Sequence, residues 1–586
     1  MPSAQPHIDL AEYLFRRLAE LGLGSIHGVP GDYNLTALDY IEPAGLKWVG
    51  NANELNAGYA ADGYGRIKGI AAMVTSFGPG ELSAVNAIGG AYAEKSPIVH
   101  IVGTPALKSQ RARQCIHHSL GDGNFKAFSN IYKHITVAQA DLEDVHKAPK
   151  QIDDVLKQCI LQSRPVYVMF PACLVTGKVP PPTDKLDLSI PGYDSLLEDQ
   201  VVDKVVSRIE NAKKPLIIVD GFTYRFGVKK QVNDLVRSTN FPTFTTPFGK
   251  GLVDEDMHNF QGVAFGAAGK KAHADRLQAS DLVLHFGPLG SEINTFGYTA
   301  LPNPVNTVTF EKESVRFGNA EKSLQPATSL TSVLNKLLKR ILAVKLPVTE
   351  PFPEPRASPS LQLQRLPEVK DDTMIDQFSL WLRMSEFLKE GDVVLTETGT
   401  SSSGGLDFLL PKNTTIINSS IWLSIGYTLA ASQGAALAQR EQVKEGTRSH
   451  NRTVVFEGDG SLQMTAQSIS DMIRNKLNIT IFVLNNSGYT VERLIHGFDE
   501  IYNDIQPWRN LEAFNYFGAP TDDISYPVRT LSARTWGELW AIIRDPDIQS
   551  GKGLTMVEIF VAMDDAPEAL KRVIDLLPAK KQQKKE

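Results

Sequence analysis

The segment richest in chemistry runs from Thr453 to Thr490 and reads TVVFEGDGSLQMTAQSISDMIRNKLNITIFVLNNSGYT. A β-branched, apolar run at Thr453–Glu457 leads into Gly458-Asp459-Gly460, whose composition is that of a turn. An amphipathic helix is expected next, with Met464, Ile469, Met472, Ile473 and Leu477 on one face. A second strand, Ile479–Leu484, then delivers Asn485-Asn486-Ser487-Gly488. One helical crossover between neighbouring parallel strands fits the intervening length. Asp459 and Asn486 should therefore stand side by side at adjacent strand ends. A carboxylate, an amide oxygen and a backbone carbonyl are hard ligands suited to Mg2+, which leaves octahedral positions for a diphosphate and water. Gly458 and Gly460 allow close approach of phosphates to the backbone, and a helix N-terminus favours anions. A second GDG, Gly121-Asp122-Gly123, has no strand-like run before it and no Asn at the matching distance, so it reads as an ordinary turn.

The elements that must position these residues follow one rhythm. Two Pro-rich stretches, from Val179-Pro180-Pro181-Pro182 to Tyr193 and from Pro347 to Pro367, lack apolar periodicity and read as extended linkers. Between them, short apolar runs alternate with helical patterns. The runs are Ser25–Val29, Lys47–Gly50, Ile70–Ser76 and Pro97–Gly103, then Pro215–Asp220, Phe241–Thr245, Asp281–Phe286 and Thr307–Glu311, then Val393–Thr396 and the two strands above. Continuous apolar strands separated by helices signify mainly parallel sheets covered on both faces. The expected fold is α/β with three doubly wound domains, at residues 1–180, 195–345 and 370–565, and a C-terminal tail at 566–586 whose lysine-rich end is solvated. Ligands in such sheets bind beyond the carboxyl ends of strands.

With these motifs in place, the chain resembles the thiamine-diphosphate enzymes, closest to the pyruvate decarboxylase group, over roughly residues 7–565. The resemblance implies a pyrimidine-binding, a middle and a diphosphate-binding domain in that order, with each site completed by a second subunit. It implies Asp459, Asn486 and the Gly488 carbonyl as Mg2+ ligands, and Gly460, Ser461 and Thr400 as cofactor contacts. Glu54, in Gly50-Asn51-Ala52-Asn53-Glu54-Leu55, looks like the glutamate that bonds N1′ of the aminopyrimidine and so lets N4′ take the C2 proton. Read alone, Glu54 would simply favour the dipole of the helix it starts. The Leu423 carbonyl would accept from N4′, and Ile425 would prop the bent cofactor.

Asp32, His117, His118 and Glu492 match polar active-site positions of the same group. Asp32 and Glu492 are implied in proton transfer and CO2 release, and the histidines in orienting the enamine intermediate. His100 also matches the active-site surroundings. The implied reaction is non-oxidative decarboxylation of a 2-keto acid, most simply pyruvate to acetaldehyde. Indolepyruvate or phenylpyruvate decarboxylation, or a silent assembly protein on this fold, are the alternatives. Retention of Glu54, Asp459 and Asn486 argues against the last. The resemblance also implies a homodimer as the minimal active unit, a homotetramer, and a fermentative role.

Composition narrows the field further. Net charge is −6, with 42% hydrophobic and 22% charged residues, which gives no basic footprint for nucleic acid. Three cysteines, Cys115, Cys159 and Cys173, offer no disulfide framework and suit a reducing, cytoplasmic setting. The start of the sequence does not read as a signal peptide, and the apolar stretch from Ile417 to Gln439 is broken by Ser419, Ser420, Ser424 and Gln433, so a buried helix is expected rather than a membrane span. The Cys115-x-His117-His118 cluster lacks a second ligand pair for zinc. No intact G-x-G-x-x-G lies in 195–345, so a dinucleotide is not expected there. The stretch Asp220-Gly221-Phe222-Thr223-Tyr224 has no cysteine, so thiol-based activation is not expected either.

Overall fold

A computed structural model describes residues 7–190, 193–318 and 328–576. The first six residues and the lysine-rich end from 577 onward lie outside the described residues. Three six-stranded sheets follow one another along the chain. The first has the order Lys47–Gly50, Ser25–Gly28, Ala71–Ser76, Ile98–Thr104, Val166–Pro171, Gln139–Asp141, all parallel. The third runs Thr415–Ile417, Val393–Thr396, Thr453–Gly458, Ile479–Asn485, Leu554–Phe560, Val528–Ala533, again all parallel. Counted along the chain, both have the strand order 2-1-3-4-6-5. Their direction of winding reverses between strands 1 and 3, and the crevice at such a reversal is where ligands sit.

The middle sheet has the order 3-2-1-4-5-6, built on Pro215–Val219 and Leu282–Phe286, with Val315–Phe317 antiparallel at its edge. This is the dinucleotide-binding order, and the chain makes a hydrogen-bond network of its own at the end of the first strand. The buried Asp220 carboxylate accepts from the backbone N–H of Gly221 (2.6 Å) and Leu289 (2.7 Å), from the Thr246 hydroxyl (2.6 Å) and from Asn294 Nδ2 (2.9 Å).

The first and third units share one hydrophobic core. At its centre the helices Glu54–Lys68 and Tyr427–Lys444 pack backbone to backbone. A Cβ on Gly434 would lie 1.8 Å from the Ala60 carbonyl oxygen, and one on Gly63 would lie 2.0 Å from that of Ala431. Ala57, Ala61, Ala431, Ala435 and Ala438 line the rest of the seam, all fully buried. Small residues permit the approach, as the interruptions in the 417–439 stretch suggested. No helix among the described residues is long and apolar enough to cross a membrane.

The structure corrects several expectations. The crossover after Gly460 is two helices, Asp459–Thr465 and Ser468–Arg474, not one. Met464 consequently leaves the apolar face and is 46% exposed, whereas Ile469, Met472 and Leu477 are buried. The second Pro-rich linker holds a short helix, Pro359–Gln364. The stretch read as the start of a tail includes the helix Glu568–Leu576, and Arg572 Nη1 donates to the Ala268 carbonyl at 3.2 Å. Gly121 and Gly123, by contrast, lie in a turn as expected, with φ of +78° and +76°.

Candidate active site

Strands Thr453–Gly458 and Ile479–Asn485 are parallel neighbours with Gly458 opposite Leu484, so Asp459 and Asn486 emerge together at their carboxyl ends, Asp459 from the strand that borders the switch point. Both are buried. Asp459 accepts backbone N–H bonds from Gly460 (Oδ1, 2.9 Å) and Gly488 (Oδ2, 3.2 Å). Burial nevertheless pushes its carboxyl up to about 6, with those N–H groups and Arg493 acting in the opposite sense.

The Asn486 amide places one atom 2.9 Å from the Gly488 carbonyl oxygen and 3.1 Å from Asp459 Oδ1. With nitrogen inward, it donates to both. With oxygen inward, it faces the other two oxygens at separations close to the ~2.9 Å edge of an octahedron with ~2.1 Å bonds, an arrangement that a cation would stabilise. The residues therefore fit Mg2+. The cradle is tight as well. A Cβ on Gly460 would lie 2.6 Å from the Tyr489 ring, and Gly488, at φ +124°, would place one 2.4 Å from the Asn503 carbonyl oxygen. Ser461 is buried in the first turn of the Asp459–Thr465 helix.

Three neighbouring loops complete this half. Thr400 starts the helix Thr400–Gly404 at the end of Val393–Thr396, and Gly399 lies against Val491, beside the exposed Glu492. The Leu423–Ile425 loop carries a backbone outlier, Leu423 at φ +56°. A bulky residue is held there only when its surroundings over-determine it.

Those surroundings include Glu94 of the first unit. Its Oε1 accepts from the Ser419 hydroxyl (2.6 Å) and from the backbone N–H of Ser420 (2.9 Å) and Ile421 (3.3 Å). Its other oxygen pairs with the buried Arg66 at 2.7 Å. Trp422 donates through Nε1 to Asn86 at 2.8 Å, and Ser424 bonds the Tyr59 hydroxyl at 2.7 Å. Beneath all three loops, the buried Glu397 and Glu457 both meet the Thr428 hydroxyl, at 2.9 and 2.8 Å. One hydroxyl proton cannot serve two carboxylates. Burial pushes both carboxyls up, so one stays protonated and donates.

The other predicted residues gather at the strand ends of the first sheet. Glu54 opens its helix behind the Asn53 cap, whose side chain accepts from the Asn56 N–H at 2.8 Å. Glu54 is half-buried, burial raises its carboxyl, and Gly80 stands against its Oε1. Asp32 Oδ2 bonds His117 Nε2 at 2.6 Å, and the Tyr33 ring stacks on His117 at 4.9 Å. His118 sits at φ +64° with a buried, unpartnered Nδ1. Asp32, rather than Cys115, joins the two histidines in one cluster of potential ligand atoms, all within 4.8 Å of one another. His100 is different. It is a core residue bonded to Thr75 at 2.9 Å, with burial lowering its ring to about 3.

Among the described residues, no hydrogen bond or ion pair joins the Glu54 group to the Asp459 group within the chain. Sequence reasoning missed Glu94, Arg493, Glu397 and Glu457. Arg493 is fully buried and donates to the Ser487 carbonyl and to Asp504, both at 2.8 Å, bracing the loop that carries Asn486. A basic residue one helical turn into a helix gives no such hint.

Three family models match in order: the thiamine pyrophosphate enzyme N-terminal TPP binding domain over residues 8–127, the central domain over 202–337 and the C-terminal TPP binding domain over 397–504. The chain belongs to the thiamine pyrophosphate enzyme family. It is 46% identical to pyruvate decarboxylase of Aspergillus parasiticus over 96% of each chain, and 44% identical to that of Aspergillus terreus over 96% of each. It is 39% identical to pyruvate decarboxylase isozyme 3 of Saccharomyces cerevisiae, over 98% of this chain and 99% of the relative. Within the family it falls among the fungal pyruvate decarboxylases.

Proposed function

We propose that this chain decarboxylates a 2-keto acid, pyruvate first, with thiamine diphosphate and Mg2+ held by the residues described above. The observation that carries the reading is the convergence of Asp459, Asn486 and the Gly488 carbonyl in a glycine-lined cradle at the carboxyl ends of two neighbouring parallel strands. When bound, thiamine diphosphate supplies a nucleophilic carbon and an electron sink for the departing carboxylate. Asp459, Asn486 and Gly488 hold the cation, and Gly460, Ser461 and Thr400 hold the diphosphate. Leu423 and Ile425 shape the loop that sets the ring geometry.

Glu54, its carboxyl raised by burial, keeps a proton available at the aminopyrimidine side. The Asp32–His117 pair can pass a proton along its 2.6 Å contact. Glu492 and His118 orient the substrate and move the remaining proton. The lack, among the described residues, of any hydrogen bond or ion pair between the Glu54 and Asp459 groups supports a site completed by a second copy, hence a homodimer, with a tetramer built from two. Free cysteines at exposed positions, Cys115 and Cys173, support a reducing cytoplasmic setting, and the likeness to pyruvate decarboxylases supports a fermentative role.

The test is CO2 and aldehyde release from pyruvate and from indolepyruvate, with and without thiamine diphosphate and Mg2+. Cofactor-dependent turnover favouring pyruvate and lost in Glu54→Gln is expected. Preference for indolepyruvate would move the substrate, and no turnover by folded, cofactor-loaded protein would overturn the reading.

A further inference from the structure

The aim of Glu54 depends on four residues before it, because a helix-opening side chain points wherever its entering loop sets it. That loop, Gly50–Asn53, leaves the strand Lys47–Gly50 at the edge of the first sheet. Part of its support is local. The Asn51 N–H donates to the Gly28 carbonyl at 3.0 Å, and Asn51 Oδ1 accepts from the Gly28 N–H at 3.2 Å. The rest comes from the third unit. Asp471 Oδ2 accepts from Asn51 Nδ2 and from the Ala52 backbone N–H, both at 3.2 Å, while Gln433 Oε1 accepts from the same Asn51 amide at 3.0 Å.

Asp471 is itself buried, on the Ser468–Arg474 helix that continues the crossover begun at Asp459. It touches neither cation ligand nor substrate residue. A buried carboxylate is costly unless something in the structure uses its charge, and here its two bonds go to the residues that introduce Glu54.

We propose that Asp471 is a positioning residue for Glu54, an acceptor that locks the Asn51–Ala52 turn and fixes the direction from which the carboxylate enters the site. The proposal rests on the reading of Glu54 given above. It also ties two half-sites together. In each chain the helix that follows Asp459 carries the group that sets Glu54, so binding at one cofactor half reports to the other through Asp471.

Protonation weakens the lock, because a carboxylic acid keeps only part of its acceptor capacity. Burial pushes the Asp471 carboxyl up to about 6, opposed by the Ala52 N–H, Asn51, Arg474 and Ser470. Arg474 also lies over Gly50, and Lys47 on the adjoining strand is in turn surrounded by Arg474 and by Arg440, Glu441 and Lys444 of the Tyr427–Lys444 helix. No second carboxylate reaches the Asn51–Ala52 turn among the described residues. The lock is therefore closed at neutral pH and opens on acidification.

The experiment compares wild type, Asp471→Asn and Asp471→Ala as full-length assembled protein. Asp471→Asn guards against a folding failure of the alanine variant. The first readout is amide hydrogen exchange of the 50–56 segment without cofactor, corrected for intrinsic rate, between pH 5 and 8. Wild type should lose about tenfold protection toward pH 5, and both variants should exchange fast with no pH dependence. The second is kinetic. Asp471→Ala should lower kcat by about tenfold with KM changed less than about threefold, and Asp471→Asn should shift the acid limb of the kcat profile.

Unchanged exchange in both variants overturns the lock. Lost protection with wild-type kcat reduces Asp471 to a structural contact and overturns its role toward Glu54. Glu54→Gln, run in parallel, separates the two readings. If it keeps turnover, the reading of Glu54 fails and the proposal falls with it. If it abolishes turnover while the Asp471 variants match wild type, only the proposal fails.

Discussion

The Glu94 carboxylate accepts the Ser420 backbone N–H at 2.9 Å across the junction of the first and third units, with its second oxygen on Arg66 at 2.7 Å. One buried side chain thus holds both the loop leading to Leu423 and a guanidinium. Glu94→Ala leaves Arg66 with only Asp62 as a carboxylate partner and frees the loop, so a loss of about 3 kcal/mol or more is expected. Glu94→Gln keeps the acceptor toward the loop and should lose less. Chemical denaturation and cofactor titration, both weaker in the alanine variant, check this.

Replacing Asp459 should move two quantities in opposite directions. Its carboxyl is raised to about 6 by burial, so the ionised form costs stability when no cation is present. Asp459→Asn should therefore stabilise the cofactor-free protein at pH 8 and weaken Mg2+-dependent cofactor binding by about 100-fold, or about 2.7 kcal/mol. Thermal unfolding and calorimetric titration give the two signs. A fall in both would show the residue to be structural.

Gly434→Ala should be among the most damaging single-methyl additions to this chain. Its Cβ would stand 1.8 Å from a carbonyl oxygen in a rigid helix, so the seam must open along its length at a cost of about 3 kcal/mol or more. Gly446→Ala is the control. With φ at +71° and nothing within 4 Å, it should cost only about 1 kcal/mol of backbone strain. Denaturant midpoints distinguish them.

Glu81 gives the stability a pH dependence. It is fully buried, caps the Gly78 N–H at 2.9 Å and accepts from the Tyr167 hydroxyl at 2.8 Å, and burial raises its carboxyl to about 7. A folded-state value above the unfolded one means that the folded state holds the proton more firmly. The contribution is complete below about pH 4.5 and lost as pH rises toward 7, and is worth up to about 3 kcal/mol. Glu81→Gln should flatten the unfolding free energy across that window and raise it at pH 8. An unchanged slope would assign the pH dependence elsewhere.

How legible these features were depended on how far apart in the chain their parts lie. Asp459 and Asn486 could be placed together because strand, glycine turn, crossover and strand fix their adjacency locally. Glu54 at a helix start was equally local. The Asp32–His117 contact joins two loops from different strand ends, and no periodicity constrains how such loops fold back. Glu94 and Asp471 act through hydrogen bonds between units, where sequence offers only a charged residue on a helix. The Met464 stripe misled because an unsignalled break after Thr465 rephases the helix. Edge strands such as Gln139–Asp141 were missed because they are short and half-buried.

The glycine seam between Glu54–Lys68 and Tyr427–Lys444 has a mechanical meaning. Two helices locked carbonyl to backbone can neither roll nor slide without a steric penalty at Gly63 and Gly434, so the first and third units turn as a single crank. Within the proposed dimer, each crank would carry the carboxylate of one reaction centre and the cation cradle of the other. A displacement of one crank would then move parts of both centres at once, so the pair would not be independent.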